Sequence, residues 1–336
     1  MPRDPATASL CALVALLLSG PGAAHAIDPQ TVLDALGFPA DTRARVDAGR
    51  FVEVPLPTRS DRDLNVGIAF AVAGRSPATL ARTVREEKRV LQADPNVGAY
   101  GDVHGDGTAA DLARLTLTPA QQKAFASPAP GEDLNVSRDE IAVLRAAGGD
   151  ARAVEAAVHA LLLARHRAYR AKGLAGIAPY ARAKSSTSAG DDLAAVNRGA
   201  RETGIVSTKL YDLVDHYPDD RPPDFAESFY WVQLRAHGED TIALEHVFQA
   251  TYDAAAVLVQ RQYYVSTGYN AEQAIAAFLP VADGTLVVYT NHTSTDQVAG
   301  LGGAAKRTIG RSVMARQLEQ LFAATRAGLG PPSHAE

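Results

Sequence analysis

An α+β fold, one antiparallel sheet with a long C-terminal helix packed on it, is predicted by three observations. Val257, Val259, Arg261, Tyr263 and Val265 alternate with Leu258, Gln260, Gln262 and Tyr264, the two-residue period of a strand whose faces differ. Gln273 to Leu279, ending at Pro280, and Thr285 to Asn291 are two further β-like runs, and Asp283-Gly284 between them supplies a short hairpin turn. Beyond them Ile309, Val313, Met314, Leu318, Leu321 and Phe322 recur at helical spacing within Ala304 to Arg326, a broad apolar face that needs a sheet to cover it.

The remaining elements follow in chain order. Asp28 is an N-cap candidate for a short helix to Leu36, stopped by Gly37-Phe-Pro39. Arg50 to Leu56 alternates as a first strand, and Leu64 to Val72 as a second, with Leu64, Val66, Ile68, Phe70 and Val72 on one face. Ser76-Pro77 opens a helix that carries Leu80, Val84, Val90 and Leu91 and ends near Asp94-Pro95. Asn96 to Val103 and Asp111 to Leu117 read as strands around the loop from His104 to Thr108. From Thr118 to about Thr203 the pattern turns helical: Thr118-Pro119 starts one helix, Ser137 with Glu140 forms a capping box, and Asp150 caps an alanine-rich helix reaching Lys172. Lys184 to Gly190 and Tyr217 to Pro223 are loops by composition. Strand periodicity returns at Ser228 to Ala236 and Thr241 to Tyr252, joined by the turn at His237 to Asp240. The organisation expected is a signal peptide over 1–26, sheet elements over 27–117 and 224–327, a helical insertion over 118–223, and a loose tail over 328–336.

Composition narrows the function. A chain with 46% hydrophobic and 21% charged residues is globular, and a net charge of -5 gives no broad cationic surface for a phosphate backbone, which sets nucleic acids aside. Arg3, the apolar run Leu10 to Leu18, and Ala24-His25-Ala26 are the three parts of a secretory signal, predicting a mature start at Ile27 and an exported protein, periplasmic or secreted. No later run has the length of a membrane helix, so a soluble mature chain with no transmembrane segment is expected. The single cysteine, Cys11, falls inside the export signal, which leaves no disulfide, zinc-thiolate or thiol nucleophile in the mature chain.

The order strand, Ser-Pro helix, antiparallel run and long terminal helix resembles the helix-grip fold of the START/SRPBCC superfamily. The residues that carry it are Leu64 to Val72 leading into Ser76-Pro77, and Trp231 to Asn291 leading into Ile309 to Phe322. The resemblance implies a curved antiparallel sheet wrapped on the last helix, enclosing a cavity for lipids or other apolar molecules. It brings no catalytic residues and no cofactor with it. A shorter likeness, Gly101-Asp-Val-His-Gly105 to the first metal motif of calcineurin-like phosphoesterases, covers five residues and lacks the Gly-Asn-His motif such enzymes also need. No Gly-x-Ser-x-Gly elbow is present.

Six side chains are the candidate ligand contacts: Trp231, His246, Arg261, Tyr263, Tyr289 and Asn291. Arg261 stands out because a guanidinium on an otherwise apolar face must find acceptors, either a protein carboxylate, with Glu245 and Asp296 the first candidates, or an anionic head group. Glu245 and His246, being adjacent on a strand, point to opposite faces and cannot act as one acid-base pair. Three readings remain: a binder of an apolar or amphipathic small molecule, an enzyme using the same cavity, and a structural protein of the cell envelope. Asn135-Val-Ser137 and Asn291-His-Thr293 match the glycan acceptor pattern.

Overall fold

The computed structural model describes residues 27–131, 134–202, 208–219, 225–236, 238–252, 254–300 and 302–329. The expected export signal, residues 1–26, falls outside the described residues. The elements are α1 (Pro29–Ala35), α2 (Thr42–Asp47), β1 (Val52–Pro55), β2 (Asp63–Ala73), α3 (Pro77–Arg85), α4 (Arg89–Ala93) and β3 (Val97–Asp102), followed by a mainly helical block. That block holds α5 (Pro119–Ala126), α6 (Arg138–Ala146), α7 (Ala151–Lys172), the two-residue strands β4 (Tyr180–Ala181) and β5 (Ser186–Thr187), α8 (Ala189–Glu202) and α9 (Thr208–His216). The chain closes with β6 (Ala226–Ala236), β7 (Glu239–Tyr252), β8 (Ala255–Val265), β9 (Ala271–Val281), β10 (Gly284–Ser294) and α10 (Gly303–Gly328).

Eight strands form one antiparallel sheet in the order β1-β2-β10-β9-β8-β7-β6-β3. The run from β6 to β10 is a meander, and β10 then pairs with β2, so the first long strand and the last lie side by side. α10 returns across one face of this sheet against β2 and α4, while α3 packs on β8 and β9. The α+β arrangement and the helix-grip-like placement of the terminal helix are as the sequence predicts. Gly310 permits the close approach: a Cβ there would sit 3.2 Å from Leu64 on β2.

Both faces of the sheet are buried, each against its own helices. On the α10 face Val66, Ile68, Phe70, Val72, Tyr230, Val247, Leu258, Phe278 and Val287 pack with Leu80, Ala315 and Phe322. On the opposite face Trp231, Leu244, Phe248, Val257, Val259, Tyr263, Ile275 and Val288 pack with Phe125, Leu144, Val158, Leu162 and Tyr169 from α5, α6 and α7. The helical block therefore covers the face that a one-layer sheet would leave to water.

Helix starts were legible in detail. Ser137 and Glu140 form the expected capping box, Thr118 forms another with Gln121, and Asp150, Ser76 and Asp28 each accept from a backbone N–H of the first turn. Three expectations need correction. The helix expected from Ser76 to Asp94 is broken at Lys88, whose φ of 52° turns the chain into α4. Asp111 to Leu117 forms no strand: Leu112, Leu115 and Leu117 are buried at uneven spacing, and side chains satisfy the backbone there, with Trp231 Nε1 donating to the Asp111 carbonyl and Gln233 Nε2 to that of Thr116. On α10, Ile309 and Val313 are 66% and 44% exposed, because the face that meets the sheet runs instead through Gly310, Met314, Ala315, Leu318 and Phe322.

Candidate functional site

Between the sheet and α3, α4 and α10 lies a pocket of about 110 Å³. Its apolar wall comes from the strands through Phe70, Val247, Leu258, Ala276, Phe278 and Val287, and from the helices through Leu80, Val84, Val90, Leu318, Leu321 and Phe322. Phe322 stacks on Phe70 with ring centroids 5.1 Å apart and meets the Tyr289 ring edge-on at 4.8 Å. The polar lining groups fall into two sets. Arg85, Thr325 and Arg326 belong to the helices, whereas Tyr230, Gln260 and Tyr289 rise from the sheet.

Strand register shows what lies behind the sheet's polar groups. Leu258 is opposite Ala276, which is opposite Tyr289: an apolar row ending in a hydroxyl. The next row runs Val247, Gln260, Ala274, Asn291. The one beyond it is polar across five strands: Tyr230 faces Glu245, Glu245 faces Gln262, Gln262 faces Glu272 and Glu272 faces Thr293. Side chains on one strand face repeat about every 7 Å, so the two carboxyls stand one row from the pocket lining.

Glu245, 1% exposed, accepts from Gln262 Nε2 at 2.7 Å, from Gln260 Nε2 at 2.8 Å, and from the Tyr230 hydroxyl. Glu272 accepts from Thr293 Oγ1 at 3.2 Å and from Asn291, which also donates to the Tyr289 hydroxyl at 3.2 Å. Burial raises both carboxyls, and the Glu245 value reaches about 7, with the charge of Glu272 adding to the rise. The sign for stability follows directly. Glu245 ordinarily titrates at 4.5, so between pH 4.5 and about 7 the folded chain holds more proton than the unfolded one. Its contribution is full below 4.5 and is lost as the pH rises through 7, a decline of about 3 kcal/mol. Denaturant titrations at a series of pH values check this: Glu245→Gln is expected to flatten that decline, and an unchanged slope would show that the carboxyl ionises freely.

Of the six candidate contacts, Tyr289 lines the pocket and Asn291 is hydrogen-bonded to it. The other four are on the opposite face. The Trp231 indole lies over Gly101, where a Cβ would come within 2.7 Å of Nε1. Tyr263 stacks on Tyr169 at 4.1 Å, and its hydroxyl donates to His166 Nδ1 at 2.8 Å, leaving the His166 Nε2–H for the Gly105 carbonyl at 2.9 Å. Burial keeps His166 below the ordinary histidine value, in line with this neutral tautomer. His246 lies between the Phe229 and Phe248 rings, with Nε2 2.9 Å from Glu227 Oε2 and Nδ1 3.0 Å from the Tyr169 hydroxyl. Glu245 and His246 do point to opposite faces, as their adjacency on a strand requires.

Arg261 corrects a sharper expectation. Its side chain is fully buried, yet its acceptors are neutral: Gln273 Oε1 at 3.0 Å, the Tyr169 hydroxyl at 3.2 Å and the Val214 carbonyl at 2.9 Å. Glu245 is across the sheet, and Asp296 is held by Arg62 and Arg182. Among the described residues the link to a carboxylate runs through a relay. Gln273 Nε2 donates to Asn197 Oδ1 at 2.6 Å, and Asn197 Nδ2 donates to Asp215 Oδ1 at 2.6 Å. Val214 belongs to the last turn of α9, whose carbonyls have no partner within the helix, so Arg261 caps α9 where the helix dipole favours a cation. The guanidinium ties sheet to helical block and is not part of the lining of the pocket under α10.

The remaining motifs fall away as sites. His104 is an exposed loop residue bonded to Asp111 Oδ1 at 2.7 Å, and Asp102 pairs with Lys88. Among the described residues no group of three or more His, Cys, Asp or Glu is placed to hold a metal. Both candidate glycan acceptors are buried, and Asn135 is spent on the carbonyls of Val265 and Tyr269. Among the described residues no helix is long and apolar enough to cross a membrane.

No protein-family profile and no curated protein matches the sequence. Among solved structures the chain is similar to human STARD10, with 8% identity over 91% of this chain and 82% of that one and a TM-score of 0.36. The helix-grip-like description therefore rests on the strand order and the position of α10 themselves.

Proposed function

We propose that the protein binds an apolar or amphipathic small molecule between the sheet and α10. The observation that carries this reading is the pocket wall: apolar side chains from five strands and three helices surround a space that the core leaves unfilled, with hydroxyl and amide groups along one border. Its volume is of the order of the roughly 150 Å³ cavity that holds a benzene molecule. A compact ring or short chain enters as the pocket stands, and a longer one displaces the half-buried Leu318 and Leu321 of α10. A small polarity-sensitive naphthalene dye is expected to bind one to one, and Ala276→Phe, which fills the space, to weaken it about tenfold or more with little change in the thermal midpoint. Equal dye affinity in the filled variant would place the binding elsewhere.

The three-part N-terminus supports export, with the mature chain beginning at Ile27. Ile27 itself packs against the core, and Asp28 caps α1, so a chain cut there retains every contact described above. N-terminal sequencing of the purified mature protein checks this, and a sequence starting within residues 1–26 would end it.

A further inference from the structure

Resting on the pocket as the ligand site, we propose that its occupant carries a protonated amine, seated with the ammonium against the polar row of Glu245, Gln262 and Glu272. The two carboxyls flank one glutamine in that row, and every partner they have among the described residues is neutral: Gln260, Gln262 and Tyr230 for Glu245, Asn291 and Thr293 for Glu272. A buried carboxylate without a cation is costly, and a second one nearby makes it costlier. A cation delivered by a ligand relieves both at once, which a hydroxyl does not.

Gln260 shows where the ammonium goes. Its side chain lines the pocket, and its amide nitrogen now donates to Glu245 Oε2 at 2.8 Å. An ammonium of the same hydrogen-bonding reach takes that position when Gln260 swings aside, with Tyr289 and Tyr230 as neighbouring oxygens. The apolar rows through Leu258, Ala276 and Val287 then receive the hydrocarbon. An anionic end seated on this row meets the opposite situation, two carboxyls. The cations of the wall are on the helices: Arg85 pairs through Nη2 with Glu86, its buried Nε having no hydrogen-bond partner among the described residues, and Arg326 lies over the Phe51 ring.

Ionisation of the row couples to binding. The groups that face Glu245 are Tyr230 from β6, Gln260 and Gln262 from β8, Glu272 from β9, Tyr289 from β10 and Tyr269 from the turn before β9. Asp102 lies beyond Tyr230 on the edge strand, paired with Lys88. Burial raises Glu245 to about 7 and raises Glu272 as well, so amine affinity is expected to rise as the pH passes through 7 while an uncharged analogue stays level.

The test compares octylamine, octanol and octanoate by calorimetry on the mature protein at pH 7.5, with Ala276→Phe, Glu245→Gln and Glu272→Gln alongside. Octylamine is expected to bind at least tenfold more tightly than either analogue. Each glutamine variant should lower that preference, read as the ratio of octylamine to octanol affinity, and the two together should abolish it. Octanoate or octanol binding as tightly as octylamine, or a preference that survives both glutamine variants or the filled pocket, would overturn the amine assignment. Those outcomes leave the pocket reading intact if octanol still binds saturably and Ala276→Phe weakens it. Saturable binding by none of the three would overturn the amine assignment and count against the pocket itself.

Discussion

Arg261→Ala is expected to lower the unfolding free energy of the ligand-free protein by an amount on the order of 3 to 5 kcal/mol, with the affinity of the remaining folded protein for an apolar ligand unchanged. The magnitude adds the void left by a fully buried side chain to the cost of stranding three acceptors, the Gln273 amide oxygen, the Tyr169 hydroxyl and the Val214 carbonyl. Arg261→Met should lose less, since the apolar replacement keeps much of the stem volume and removes the desolvation cost of a buried charge. Denaturant melts of both variants, with and without the naphthalene dye, give the two quantities separately. An Arg261→Ala variant as stable as the wild type, or one whose loss appears only in ligand binding, would place the guanidinium at the ligand after all.

The second large effect concerns α10. Phe322→Ala should cost about 3 to 5 kcal/mol, because the ring is buried between Phe70 and Tyr289 and its loss opens the pocket into the core. Ile309→Ala and Val313→Ala, on the exposed side of the same helix, should stay within about 0.5 kcal/mol. The contrast tests which stripe of the helix meets the sheet. Equal losses at Phe322 and Val313 would mean that the helix is turned about its axis relative to the structure.

Much of the fold was legible in the chain. The strand runs of β2 and β6 to β10, the Asp283-Gly284 turn and the terminal helix all follow from period and turn chemistry, and the caps of α3, α5, α6 and α7 from short polar residues before apolar runs. What the sequence could not give was the identity of each sheet face. Both faces are covered, so every position of β8 but one is buried and the alternation carries chemistry without direction. Arg261 drew attention to its own face, and with it Tyr263, His246 and Trp231 were expected at the ligand. They meet the helical block instead.

Gln260, Gln262 and Glu272, which the sequence reading did not place at the ligand, and Glu245, which it weighed only as a partner of Arg261 and beside His246, left a signal of their own. Gln260 and Gln262 share the face opposite Arg261, and Glu245 and Glu272 occupy matching positions on the neighbouring strands. Their meeting depends on register, including the shift between Leu244 and Glu245, which no local pattern specifies. On α10 the misreading was one of phase: Ile309 and Val313 fit a helical stripe as well as Met314 and Leu318 do, and only the close approach at Gly310 shows which side faces β2.

The central claim is that the apolar ligand lies on the α10 face of the sheet, and photolabelling with a short alkyl diazirine tests it most directly. Labelled peptides, identified by mass spectrometry, should come from α3, α10 and the strands around Leu258, Ala276 and Val287, and octylamine should compete the label away. Label that is saturable but concentrated on Tyr169, Tyr263 or Trp231, on the face packed against the helical block, would contradict the account.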